Sequence, residues 1–145
     1  MSLPSSSVSR GVKRLALFAA VLLLAARCGN PNAPSVNVAF SAVDTVVGAG
    51  ATAATGNTVT VSYTGWLYDA SKADKHGNQF DTSSSFTFVL GGNVIAGWNQ
   101  GIPGMKVGGT RILTIPPSLG YGSVATGPIP ANSTLVFTVT LLSVV

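Results

Sequence analysis

The stretch Thr58-Val59-Thr60-Val61-Ser62-Tyr63-Thr64-Gly65-Trp66-Leu67 decides how this chain is read. Val59, Val61 and Tyr63 fall on one face of an extended backbone, and Thr58, Thr60 and Ser62 on the other. A period of two marks a strand with one buried and one wet face. Working outward, the alternation returns at Phe86, Phe88 and Leu90 and stops at Gly91-Gly92. Residues 111–115 form another β-rich run, ended by Pro116-Pro117. Residues 134–144, rich in β-branched side chains, are expected to be the longest strand. Residues 36–47 supply one or two edge strands. Gly108-Gly109 reads as a turn before a strand, because no Gly-Lys-Ser/Thr follows to make a phosphate loop.

One segment breaks the β pattern. Val94, Ile95 and Trp98 share a face at helical spacing within residues 94–100, bounded by glycines at 97 and 101. So short a helix needs tertiary packing to exist. The expected class is α+β, an antiparallel sheet with one short helix against a face.

Composition narrows the chemistry. The chain has 145 residues, enough for one domain with a modest core, and only 8% are charged. Its formal charge of +4 is unevenly placed, because Arg10, Lys13, Arg14 and Arg27 all precede Cys28. From Cys28 onward Lys72, Lys75, Lys106 and Arg111 meet Asp44, Asp69, Asp74 and Asp81, and four minus four is zero. A basic nucleic-acid-binding surface is therefore not expected. One histidine, His76, and one cysteine leave no cluster of soft metal ligands, so neither metal nor cofactor is expected. His76 lies among Lys72, Asp74, Lys75 and Asn78 and reads as part of a solvated loop, and no nucleophile elbow accompanies it. The sequon at Asn132-Ser133-Thr134 is a weak motif.

The N-terminus has its own logic. Arg10, Lys13 and Arg14 precede a twelve-residue apolar run, 15–26, well short of the roughly 20 residues that span a bilayer. A basic patch followed by a short apolar run reads as a secretory signal. Ala25, Ala26, Arg27 and Cys28 then resemble the processing site of a bacterial lipoprotein, whose cysteine becomes the lipidated first residue; Arg27 departs from the small residue usual there. Lipidation also accounts for an unpaired cysteine in an exported chain. Residues 29–35 come next as a flexible spacer. The expected organisation is a signal peptide over 1–27, a linker with a possible edge strand over 28–42, and a folded domain over 43–145. The expected location is outside the cytoplasm, periplasmic or at the cell surface, held to a membrane by the lipid.

Five pieces recur in one order: Tyr63-Thr64-Gly65-Trp66, Phe80-Asp81, Val94-Ile95-Ala96-Gly97-Trp98, Tyr121-Gly122 and Leu135-Val136-Phe137. In order and spacing they resemble the FKBP-type peptidyl-prolyl cis/trans isomerases, over about two thirds of the chain. The resemblance implies a twisted sheet curled around a short helix, and catalysis of X-Pro isomerisation in exported proteins. It implies Trp98 as the pocket floor and Tyr63, Phe80, Phe86 and Phe137 as walls. Val94 and Ile95 would form the rim, with the Ile95 N–H and the Tyr121 hydroxyl donating to substrate carbonyls. Asp81 would face the reacting amide, and Ile129, in the loop Gly127-Pro128-Ile129-Pro130, would be the far lip. Implied partners are proline-containing polypeptides and macrolide inhibitors. The chain also departs from the family pattern, with Asn93 where many relatives have an acid or glutamine and with a longer polar stretch at 67–79. No pairing segment stands out, so a monomer is expected.

Two other readings fit the residues. The pocket could hold proline peptides without catalysing their isomerisation, or a surface lipoprotein could act through the exposed excursion at 67–79.

Overall fold

The computed structural model describes residues 37–145. The signal-peptide, lipid-attachment and most of the linker expectations, Cys28 among them, lie outside the described residues. Within them the chain forms β1 (Ser41–Val46), β2 (Thr58–Tyr68), β3 (His76–Val89), a short helix α1 (Ala96–Gly101), β4 (Thr110–Ile115) and β5 (Leu135–Val144), with a single 3₁₀ turn at Pro117–Leu119. The strands make one antiparallel sheet in the order β1-β4-β5-β2-β3. The five-stranded sheet with one short helix is the expected α+β architecture.

The alternation within residues 58–67 helps to build the core. Val59 and Val61 of β2, Leu113 and Ile115 of β4, and Leu135, Phe137, Val139 and Leu141 of β5 are buried on one face. Trp98, Ile102 and Met105 cover them from the helix side. Each such aliphatic side chain contributes about 1.5–3 kcal/mol when removed from water. On the opposite face threonine hydroxyls pair across strands, Thr60 with Thr87 at 2.8 Å, Thr64 with Thr82 at 3.1 Å and Thr110 with Thr140 at 2.8 Å. Hydroxyl pairs of this kind satisfy a sheet face that no helix covers.

α1 has six residues, no side-chain cap at its start and no charge at either end. Two contacts hold it. Gly97 and Gly101 let it lie directly on β4, where an added Cβ would come within 2.6 Å of Ile115 and of Leu113 respectively. Arg111 of β4 then donates to the carbonyls of Gly101 at 2.7 Å and Pro103 at 3.3 Å, satisfying groups orphaned at the helix end. The same guanidinium grips both carboxylate oxygens of Asp44 on β1, at 2.6 and 2.9 Å, and this bonding holds the Asp44 carboxyl below the usual range.

Three expectations are corrected. β3, at 14 residues, is longer than β5, at 10. The polar stretch 67–79 is strand at both ends: β2 runs on to Tyr68, β3 starts at His76, and Tyr68 pairs with His76. The turn is left with 69–75, where Asp69 Oδ1 accepts the N–H of Ser71 at 3.0 Å and Asp74 Oδ1 that of His76 at 3.1 Å. His76 is accordingly not in a solvated loop. Its ring stacks on Trp66 at 3.9 Å with 4° between planes, and the stack brings it into the sheet. Residues 36–47 yield one edge strand, β1, among the described residues.

Candidate active site

The elements above converge on one concave region. β2 brings Tyr63, β5 brings Phe137, β3 brings Phe80, Asp81 and Phe86, and α1 brings Trp98. Val94 and Ile95 lie just before the helix rather than on it, with Ile95 at its N-cap. Tyr121 comes from the loop after the 3₁₀ turn. Together with Asn93 these residues line a cavity of about 510 Å³.

Trp98 is the hub of the cavity. It is 4% exposed. Tyr63 meets it edge-on at 5.0 Å, Phe137 at 5.3 Å and Phe86 at 6.1 Å, and Phe88 leans on it at 5.4 Å. Edge-to-face packing at these separations adds about 0.5–1.5 kcal/mol per pair beyond burial. It also fixes the orientation of the indole. The indole N–H is buried without a hydrogen-bond partner, at a desolvation cost of about 1–3 kcal/mol. The fold tolerates that cost and keeps the surroundings of the ring apolar.

Behind the wall, Phe80 packs edge-on against Phe137 at 5.5 Å. Gly65 makes room for the pair, since a Cβ there would fall 2.7 Å from Phe80 Cζ and 2.8 Å from Phe137 Cε1. Glycine in the Tyr63-Thr64-Gly65-Trp66 motif is thus a packing requirement of the wall.

Among the lining residues, Asp81 is the only one with an acidic or basic side chain. The Tyr63 hydroxyl donates to its Oδ2 at 2.6 Å, and the Thr82 N–H donates to its Oδ1 at 2.8 Å. The carboxylate is therefore held by both oxygens. Burial raises the Tyr63 hydroxyl pKa far above the ordinary tyrosine value, and the hydrogen bond to Asp81 pushes in the same direction. Burial followed by the nearby Asp81 charge raises Tyr121 as well. Both phenols stay protonated donors through the neutral range. Among the described residues, the Ile95 N–H has no acceptor, while its carbonyl accepts from Trp98 at 3.0 Å and Asn99 at 3.3 Å.

Of the ten expected pocket residues, the structure gathers nine around this cavity: Tyr63, Phe80, Asp81, Phe86, Val94, Ile95, Trp98, Tyr121 and Phe137. Ile129, expected as the far lip, lies outside this lining. Its backbone closes a tight bridge with Thr126, N–H to carbonyl at 2.9 Å in both directions, and its side chain belongs to the hydrophobic core at 5% exposure. An apolar residue in a proline-flanked loop had two places to go, and the bridge sends it inward. Asn93, read from sequence only as a departure in the rim, lines the cavity. Asn99 was missed; its only sequence signal was a polar side chain inside a glycine-bounded helix.

The comparisons agree with this geometry. The family model for FKBP-type peptidyl-prolyl cis-trans isomerase matches residues 50–142. The chain is 47% identical over 105 residues to FK506-binding protein 1 of Aspergillus oryzae, covering 67% of this chain and 90% of that protein. It is 48% identical over 97 residues to an FK506-binding protein of Neisseria meningitidis serogroup C, covering 66% and 86%. Among solved structures, FkpA from Escherichia coli matches with a TM-score of 0.62 and 38% identity, over 72% of this chain and 47% of that one. AtFKBP13 matches with a TM-score of 0.61 and 34% identity, over 72% and 91%. With the fold, the aromatic cavity and these relatives in agreement, the chain belongs to the FKBP-type peptidyl-prolyl cis-trans isomerases and is an enzyme of that class.

Proposed function

We propose that this isomerase acts on X-Pro bonds of exported polypeptides, and that it does so by burial and placed donors rather than by covalent chemistry. The observation that carries the mechanism is the pairing of an apolar aromatic bowl with a single carboxylate held by Tyr63 and the Thr82 N–H.

The physics starts from the amide. Its partial double bond sets a barrier of about 18–20 kcal/mol. At the top the amide is twisted, resonance is lost, and the carbonyl oxygen carries less negative charge. A proline ring seated on Trp98, walled by Tyr63, Phe86 and Phe137, places that amide out of water. The planar, more polar form loses more hydration there than the twisted form. A carboxylate facing the amide repels the planar carbonyl oxygen more than the twisted one, which adds to the difference. The Ile95 N–H and the Tyr121 hydroxyl hold flanking carbonyls and orient the chain across the bowl. A 10⁴-fold acceleration needs only about 5.4 kcal/mol, within reach of these effects combined.

The relatives carry FK506 in their names. We extend that binding to this cavity, with FK506 competing for the seat over Trp98. The test is a protease-coupled prolyl-peptide assay with and without FK506. Inhibitable acceleration supports the reading; acceleration that FK506 leaves untouched overturns the assignment of this cavity.

The export reading rests on the basic patch Arg10, Lys13, Arg14, the short apolar run, Cys28, and the zero net charge of residues 28–145. A domain without net charge has little colloidal repulsion, which tethering offsets. Acyl chains on Cys28 would anchor it at about 0.8 kcal/mol per buried CH₂, and the enzyme would act as a monomer on chains emerging outside the cytoplasm. Incorporation of labelled fatty acid that disappears in Cys28→Ser supports the anchor; equal labelling of the two chains contradicts it.

A further inference from the structure

The segment between β3 and α1, residues 90–95, carries two rim residues, and its glycine turn is closed by the Gly92 N–H donating to the Val89 carbonyl at 3.0 Å. Leu90 anchors one end, 1% exposed, with its N–H donating to the Asn57 carbonyl at 2.9 Å. After it come Gly91, at φ +90°, and Gly92. The Val94 N–H reaches back only two residues, to the Gly92 carbonyl at 2.9 Å, a tight and weak closure. Ile95 enters the helix without a side-chain cap. No residue of this segment is charged.

One side chain spans the gap. Asn99, on α1, accepts the Gly91 N–H on its Oδ1 at 2.8 Å. Its Nδ2 donates to the Gly92 carbonyl at 3.1 Å. Its backbone N–H also donates to the Ile95 carbonyl at 3.3 Å. The same residue thus touches the segment at its start and at its end. It lies outside the cavity lining.

We propose that Asn99 is a positioning residue for isomerisation: its side-chain amide fixes the 91–95 rim to the helix and so sets where the Ile95 N–H meets a substrate carbonyl. The proposal rests on the reading of Ile95 as a substrate donor. Both ends of the amide are in use at once, and this dictates which substitutes can work. A carboxylate of the same shape can accept from Gly91 but must repel the Gly92 carbonyl. A methyl can do neither. A protonated carboxyl, by contrast, carries one acceptor and one donor and reproduces the amide.

The test uses Asn99→Asp and Asn99→Ala in the full chain, with two readouts. The first is the ¹⁵N order parameter of the Ile95 N–H, measured on the folded protein. The second is kcat/KM on a proline peptide, expressed at each pH as a ratio to the unchanged chain. At neutral pH both variants are expected to lose about tenfold in kcat/KM, the worth of one misplaced hydrogen bond, with a lower order parameter at Ile95. As the pH falls through the carboxylate range, the ratio for Asn99→Asp should climb back toward one, while that for Asn99→Ala stays low. An unchanged order parameter at Ile95 in both variants would overturn the role of Asn99. A lower one with unchanged kcat/KM would instead overturn the assignment of Ile95 to substrate, and the catalytic meaning of Asn99 with it. A low ratio that ignores pH in Asn99→Asp would reduce the residue to ordinary packing.

Discussion

The bowl around Trp98 and the turn joining β2 to β3 are built by opposite means. The bowl is a set of interlocked rings with one carboxylate, shaped by contacts that any added atom would disturb, as at Gly65. The turn gathers Asp69, Lys72, Asp74 and Lys75 within seven residues and is shaped by carboxylates bonding backbone two residues on. Deep packing couples neighbours, so a change in the bowl should spread to activity and stability alike. Exposed, locally bonded turns transmit little. Asp69, Lys72, Asp74 and Lys75 thus lie away from the bowl, while Arg111 with Asp44 holds the helix and Asp81 lines the cavity.

The largest break in that contrast should come from Trp98→Leu. Removing the ring against which Tyr63, Phe86 and Phe137 pack costs about 2–4 kcal/mol in stability, and kcat/KM should fall by about 100-fold. Chemical denaturation and the coupled assay read the two effects. A change of less than threefold in activity would separate the floor from the chemistry.

Gly65→Val comes next. The branched side chain must displace Phe80 or Phe137, at a cost of about 1–3 kcal/mol for overpacking. Activity should drop with it although Gly65 is no lining residue. Stability and activity both unchanged would show the wall to be more yielding than its contacts imply.

Tyr63→Phe sharpens the comparison through pH. The Tyr63 pKa is raised in the folded chain by burial and then by Asp81. The unfolded tyrosine ionises first, so the folded state binds the extra proton and stability falls as pH rises above the ordinary tyrosine value of 10.0. Below that value the contribution is fully present. Denaturation followed from about pH 8 to about pH 11 should show this loss in the natural chain and a shallower one in Tyr63→Phe. An identical slope would mean that Tyr63 is not the group responsible.

The smallest effect belongs to the start of β3, beside the turn. His76→Ala removes the stack on Trp66, and kcat/KM should stay within about twofold, with at most about 1 kcal/mol lost. A larger loss of activity would mean that the turn communicates with the bowl.

How far the sequence could be read divides along the same line. The strands were visible because burial on one face imposes alternation on Val59, Val61 and Tyr63, and the helix because Trp98 needed a face to lie on. Nine of the residues that line the cavity were legible through an ordered motif, which places Val94, Ile95 and Tyr121 beside elements whose own pattern could be read. Ile129 was not, because loop residues obey no period, and one backbone bridge decides which way the side chain turns. His76 was misplaced because its polar neighbours suggested water, while its ring found Trp66 across the strand pair. Asn99 was invisible because its partners are backbone groups eight and seven residues away, which carry no side-chain signature.

The most direct test of the account is Asp81→Ala, measured for turnover on a proline peptide and for affinity toward a proline peptide at equilibrium. Catalysis by differential binding predicts that kcat falls by about tenfold or more while the dissociation constant moves by less than about threefold. Parallel losses in kcat and affinity would show that Asp81 serves binding alone, and would contradict a mechanism in which this carboxylate distinguishes the twisted amide from the planar one.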